Sequence, residues 1–150
     1  MEENAEVWTI IRELLESQKL AVLSTQGKEQ PYSNLVAFTV TPDLQYLIFA
    51  TTRATRKYAN LLKHPQVSML IDNRTNETAD FAEAAAVTVL GRASEVQGDE
   101  RSQLIKTYLN RHPYLEGFVT SPNCALFAVK VDRYIMVTRF QDVREIVPGS

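Results

Sequence analysis

Phe49-Ala50-Thr51-Thr52-Arg53-Ala54-Thr55-Arg56-Lys57 reads as the end of a β-strand, a hydroxyl-rich turn and the basic first turn of a helix. Upstream, Leu47 to Ala50 form a short apolar run suited to a buried strand. Downstream, Tyr58, Leu61 and Leu62 recur at helical spacing, and the pattern stops at His64-Pro65. A helix start carries unpaired N–H groups and a positive dipole end, so it favours an anion. Two Thr hydroxyls, a guanidinium and an ammonium added to that suit a phosphate. The same residues also describe a Thr N-cap followed by two solvated basic side chains, and spacing alone leaves both readings open.

Working outward, Val7, Ile10, Ile11, Leu14 and Leu15 mark one face of an opening helix. Strands are expected at Leu20 to Thr25, at Tyr32 to Thr41 and at Gln45 to Thr51, the last two joined by a Thr41-Pro42-Asp43-Leu44 type I turn. A helix is expected over Ala54 to Lys63, a strand over Gln66 to Asp72, and a polar loop over Asp72 to Ala82. Ala85 to Val96 is a long strand with Gly91 as a candidate bulge. Gly98-Asp99-Glu100 opens a third helix with Leu104, Ile105, Tyr108 and Leu109 on its apolar face. Cys124 to Asp132 and Tyr134 to Arg139 read as two more strands, and Val143 to Val147 as a short last one. The strands come as hairpin neighbours without βαβ alternation, which predicts a mainly β, antiparallel barrel with flanking helices. Long strands that must avoid open edges favour closure or dimerisation.

At 150 residues, with 45% apolar and 23% charged side chains, the chain is expected to be one globular domain over 1–150. The net charge of −2 offers no global field to recruit nucleic acid or an anionic membrane. No apolar run approaches the ~20 residues that span a bilayer. The acidic start Met1-Glu2-Glu3-Asn4 has no signal-peptide pattern, so a cytoplasmic protein is expected. The single Cys124 rules out an intrachain disulfide and a Cys-rich zinc site, and it reads as a small buried hydrophobe. With two His, a metal site has no support in spacing; His64 and His112 each precede a Pro at a predicted helix end, where the dipole favours them. No Gly-rich phosphate loop and no Gly-x-Ser-x-Gly elbow occurs.

Pro31-Tyr32-Ser33-Asn34-Leu35-Val36-Ala37-Phe38, then Phe49-Ala50-Thr51, Thr55-Arg56-Lys57, His64-Pro65-Gln66-Val67-Ser68 and Val87-Thr88-Val89-Leu90-Gly91-Arg92-Ala93 follow one another in a telling order. In that order they resemble the pyridoxamine 5'-phosphate oxidase-like FMN-binding split barrels, over roughly residues 15 to 138. The resemblance implies a six-stranded antiparallel split β-barrel, a homodimer with FMN in clefts at the subunit interface. It assigns Thr51, Thr55, Arg56 and Lys57 to the FMN phosphate, and Asn34, Leu35, Val36 and Ala37 on the second strand to the ring and ribityl chain, with Ala50 beside them. Arg74, after the Asp72-Asn73 turn, either is solvated or reaches the cofactor from a neighbouring subunit. The implied activity is an FMN-dependent oxidoreductase acting on a small organic substrate by hydride transfer through flavin N5. The catalytic residues stay unassigned.

Departures from the pattern are equally informative. Asn34 and Thr39 stand where true oxidases of this type carry basic residues, and Ala86 stands where a Gln is usual. The Arg-x-His substrate motif near a Trp is absent from Arg139-Phe140-Gln141-Asp142-Val143-Arg144-Glu145-Ile146, and the only Trp is Trp8. Vitamin B6 oxidation is therefore not expected. Arg111-His112-Pro113 also looks like haem-utilisation relatives, but Thr138-Arg139-Phe140-Gln141 replaces their Gly-Gly-Phe-Gly turn. Alternatives are an electron-transfer flavoprotein without its own substrate, and a split barrel that binds haem or a deazaflavin.

Overall fold

The computed structural model describes residues 2–149; Met1 of the acidic N-terminal stretch and Ser150 lie outside them. In chain order the elements are α1 (Glu2–Ser17), β1 (Leu20–Gln26), β2 (Pro31–Val40), β3 (Tyr46–Thr52), α2 (Arg56–Lys63), β4 (Gln66–Asp72) and α3 (Asp80–Glu83). There follow β5 (Ala85–Glu95), α4 (Gly98–Arg111), a 3-10 turn (Pro113–Leu115), α5 (Glu116–Val119), β6 (Cys124–Thr138) and β7 (Asp142–Ile146). Every strand pairing is antiparallel, in the order β3-β2-β1-β4-β5-β6-β7. A further β3–β6 pairing closes the first six strands into a barrel, as expected from the sequence. β7 adds to the C-terminal half of β6 as a seventh strand.

The barrel is split between β2 and β3. These strands pair only over Phe38–Val40 and Leu47–Phe49, so the earlier residues of β2 leave the later residues of β3 unpaired on that side. Beyond Phe49, β3 holds instead to β6, down to Thr52 opposite Cys124. This opening is where the candidate site lies.

Alternation places Ala21, Leu23, Phe38, Leu47, Phe49, Met69, Ile71, Val87, Val89 and Phe127 in the barrel interior, each 0–1% exposed. Apart from Ala21, each such side chain contributes about 1.5–3 kcal/mol by leaving water. Phe49 stacks on Phe127 at 5.4 Å between ring centres. The face Val7, Ile11, Leu14 and Leu15 of α1 packs into the same core. A second, smaller core lies outside the barrel wall, where Tyr108 of α4 and Val119 of α5 cover Ile48, Ala50, Leu126 and Ala128.

Three local expectations change. Cys124–Asp132 and Tyr134–Arg139 form one strand, because Leu90 pairs with Arg133 but Gly91 with Val131, so Asp132 is accommodated as a bulge instead of a break. A Cβ on Gly91 would lie 2.4 Å from the Lys130 carbonyl oxygen, which explains glycine at this crossing. The loop after β4 contains α3, and Asp80 at its start accepts from the backbone N–H groups of Thr75 and Asn76. The basic helix begins at Arg56, with Thr55 outside it as N-cap.

Among the described residues, no helix is long and apolar enough to cross a membrane.

Candidate functional site

A cavity of about 320 Å³ fills the split. One wall is Leu35, Val36 and Ala37 of β2; the other is Ala50, Thr51 and Thr52 of β3. Thr55 and Lys57 close it at the start of α2, and Tyr108, Leu115 and Phe118 form the far side. Seven of the sequence-derived candidates therefore meet in one place: Leu35, Val36, Ala37, Ala50, Thr51, Thr55 and Lys57.

The polar end is built by capping. Thr55 is the N-cap of α2: its hydroxyl accepts from the Tyr58 N–H at 3.1 Å and donates to the Thr52 carbonyl at 2.9 Å. Thr51 is 2% exposed, and its hydroxyl lies 3.3 Å from that of Thr55. Because Thr55 gives its proton to Thr52, Thr51 is the donor in the hydroxyl pair, with the Thr52 carbonyl at 3.5 Å as its other acceptor. The N–H groups of Arg56 and Lys57 belong to the first turn, where no carbonyl of the helix can reach them.

Lys57 is half-buried at the cavity edge, and among the described residues no carboxylate pairs with it. Burial pulls its ammonium below the ordinary value of 10.5. A cation desolvated without an opposing charge is costly, and a bound anion would offset that cost.

The three basic residues of this segment go separate ways. Arg53 is built into the frame: it bonds the Glu95 carboxylate at 2.7 Å and the carbonyls of Pro122 at 2.7 Å and Cys124 at 3.1 Å. Tyr58 donates to the same carboxylate at 2.8 Å. Arg56 is exposed, stands over the Tyr32 ring at 5.5 Å and is not among the residues that line the cavity.

Asn34 precedes the lining segment of β2, and its buried Oδ1 has no hydrogen-bond partner among the described residues. Arg74 lies elsewhere, paired with Asp72 at 3.1 Å and bordering a separate cavity. It is not among the residues that line the cavity beside Lys57.

Sequence reading missed the far wall. Tyr108 is identified only as part of the apolar face of α4, yet its hydroxyl donates to the Ala37 carbonyl at 3.1 Å, on the open edge of β2. Leu115 and Phe118 belong to a short turn and helix that no periodicity signals. Burial pushes the Tyr108 phenol far above its ordinary range, so it serves as a fixed neutral donor.

His112 is 6% exposed, and its Nε2 lies 2.6 Å from the Phe38 carbonyl oxygen. Neither histidine lines the cavity. Cys124 is buried in the second core and free.

The fold is similar to that of a haem-binding protein from Mycobacterium smegmatis, with a TM-score of 0.81 and 19% identity, over 91% of this chain and 56% of that one. The chain thus spans little more than half of that protein. The fold is also similar to that of the haem storage protein HutZ from Vibrio cholerae, at TM-score 0.72 and 19% identity, over 94% of each chain. An FAD-binding protein from Mesorhizobium loti matches at TM-score 0.66 and 15% identity, over 85% of this chain and 90% of that one. No curated protein sequence matches the chain. The family model for pyridoxamine 5'-phosphate oxidase matches residues 9–138, and the chain therefore belongs to that family.

Proposed function

We propose that this protein binds FMN in the cavity between β2 and β3 and acts as an FMN-dependent oxidoreductase on a small organic substrate. The observation that carries the reading is Lys57, a half-buried ammonium without an acidic partner, set beside the Thr51 and Thr55 hydroxyls at a helix start. That donor set suits a phosphate monoester better than a neutral ligand end, which would leave the ammonium's charge unmatched. Bound FMN would supply two-electron chemistry, exchanging a hydride through flavin N5.

The chain's own residues hold, orient and shield. Lys57 and the first N–H groups of α2 hold the phosphate, and Thr51 adds a hydroxyl. Leu35, Val36 and Ala37 give an apolar wall, and Asn34 with its unpartnered buried Oδ1 stands just before them on β2. Leu115 and Phe118 limit water on the far side.

A homodimer is part of the same proposal. The outward face of the sheet runs from Leu35 through Val22 to Leu70 and Thr88 in direct register. Leu35 is 64% and Leu20 54% exposed on it. A second copy would cover this apolar strip, which begins at the cavity wall.

Haem is the second reading, favoured by the two haem-related proteins of similar fold. Against it, no His, Cys or Met borders the cavity, and the Tyr108 hydroxyl there is neutral and committed to the Ala37 carbonyl, so none of the usual axial ligands of haem iron is free on the lining. A spectrum of the purified protein, repeated after adding FMN and removing the excess, tests the choice. Retained flavin bands support the reading. A colourless protein that shows a Soret band with haem overturns it.

A further inference from the structure

The cavity beside Lys57 opens where β2 and β3 part, and that point is gripped from outside the barrel. The register between the two strands ends at Phe38 and Phe49. Leu35, Val36 and Ala37, which line the cavity, come just before that end on β2. They pair with β1 on one side, but no strand ladder sets their distance from β3 on the other.

One helix takes two consecutive carbonyls at this junction. The Tyr108 hydroxyl donates to the Ala37 carbonyl at 3.1 Å, and the His112 Nε2 lies 2.6 Å from the Phe38 carbonyl oxygen. A carbonyl only accepts, so this nitrogen carries the imidazole proton. Tyr108 is 1% and His112 6% exposed, so both bonds are made away from bulk water, where each is worth more.

Tyr108, Arg111 and His112 are spaced i, i+3 and i+4, which sets them on one face of α4. Arg111 completes the grip. Its guanidinium stands over the Phe38 ring at 5.1 Å and donates to the carbonyls of Glu16 and Gln18. The end of α4 is thereby tied to the end of α1 and to β2 at once.

We propose that Tyr108 and His112 are positioning residues: by holding β2 at Ala37 and Phe38, they set the width of the cavity in which FMN lies. What this says of FMN rests on the flavin reading; the grip on β2 does not.

Tyr134 supplies a matched control. It is equally buried, and its hydroxyl donates to the Leu44 carbonyl at 2.7 Å, but it borders no part of the cavity. Tyr108→Phe and Tyr134→Phe each delete one buried bond from a phenol to a carbonyl, so both should melt at lower temperature. Fluorescence titration of FMN into the purified full chain at pH 7.5 should separate them. Binding by Tyr108→Phe should be about five- to tenfold weaker, and binding by Tyr134→Phe unchanged. The Phe38 N–H donates to the Lys19 carbonyl, and its hydrogen exchange should quicken in Tyr108→Phe beyond any change in Tyr134→Phe. His112→Ala should repeat the Tyr108→Phe result, and His112→Gln, which returns a donor at similar reach, should restore both readouts. The histidine variants carry the same comparison if Tyr108→Phe folds poorly. Equal FMN affinity or equal exchange in the two tyrosine variants overturns the proposal, as does a His112→Gln protein no better than His112→Ala. If the wild type takes up no FMN, the flavin reading falls, and the exchange comparison alone decides whether α4 holds β2 in place.

Discussion

Arg53 reaches Glu95 at 2.7 Å and ties the loop before α2 to the end of β5. Glu95 is 12% exposed in its side chain and also receives the Tyr58 hydroxyl, so one carboxylate holds the loop and the helix that follows it. Through Arg53 the loop further grips the carbonyls of Pro122 and Cys124 at the start of β6. The cavity's polar end is thus fixed before any ligand arrives, which lowers the ordering cost of binding.

From that division of labour, Lys57 and Arg56 should behave differently. Lys57→Ala removes the unpaired cation of the cavity and should weaken FMN by about 10- to 100-fold, the worth of one charge-assisted bond. Arg56→Ala, which mainly frees Tyr32, should cost much less, and the double variant should lose its flavin. Fluorescence titration of FMN with each variant measures this; equal losses for the two single variants would place Arg56 at the phosphate as well.

Glu95→Gln keeps the shape of the brace and removes its charge. The variant should melt at lower temperature and bind FMN more weakly, although Glu95 borders no part of the cavity. Wild-type FMN affinity in a folded Glu95→Gln protein would show that the loop needs no brace.

Two glycines give opposite expectations for one change. At Gly91 an added Cβ meets the Lys130 carbonyl oxygen at 2.4 Å and Val129 Cγ1 at 2.8 Å, and both belong to the barrel wall. Gly91→Ala should cost about 1–3 kcal/mol or more. At Gly117 in α5 nothing lies within 4 Å and φ is ordinary. Gly117→Ala should be neutral or stabilising by about 0.4–1 kcal/mol. Urea unfolding of the two variants reads both values.

How much the sequence reveals depends on whether a residue acts through its own neighbours or through distant ones. Alternation at Leu20–Gln26 and Gln66–Asp72, and the turn after Thr41, are local signals, and the strands lie where they predict. Thr55 and Lys57 are legible because a helix start is local as well. Tyr108 is not, because its partner, the Ala37 carbonyl, lies 71 positions away. The separate fates of Arg53, Arg56 and Lys57 are hidden for the same reason: consecutive basic residues look alike until Glu95, Tyr32 and the cavity are placed around them. Asp132 shows the converse, since a bulge reads as a strand end when the partner strand is unknown.

Stability should depend on pH through His112. Burial is the main cause that pulls its imidazole below the ordinary value of 6.5, and Arg111 and Lys19 add to it, against the Phe38 carbonyl. With the folded value depressed, the unfolded chain binds more protons as pH falls below about 6.5, so folding weakens there. The contribution is complete above that value and declines as pH falls towards the folded value. His112→Gln should flatten this part of the profile. Urea midpoints at pH 7.5 and pH 5.5 test it: an equal drop in both proteins would assign the dependence to other groups.

The dimer proposal makes a sharp demand on Val22. In β1 this residue lies directly opposite Leu35 on one side and Leu70 on the other, at the middle of the outward apolar strip. In a single copy its side chain is half-exposed and points away from the core, so Glu in its place should be tolerated by the barrel. Between two copies, the same carboxylate would face apolar side chains without a partner, at a cost of several kcal/mol. Val22→Glu should therefore sediment as a folded monomer where the wild type sediments as a dimer. If FMN lies at the interface, that monomer should also lose flavin although Lys57, Thr51 and Thr55 are untouched. A monomer that retains flavin would confine the cofactor to one chain, and a Val22→Glu dimer would move the interface to another face.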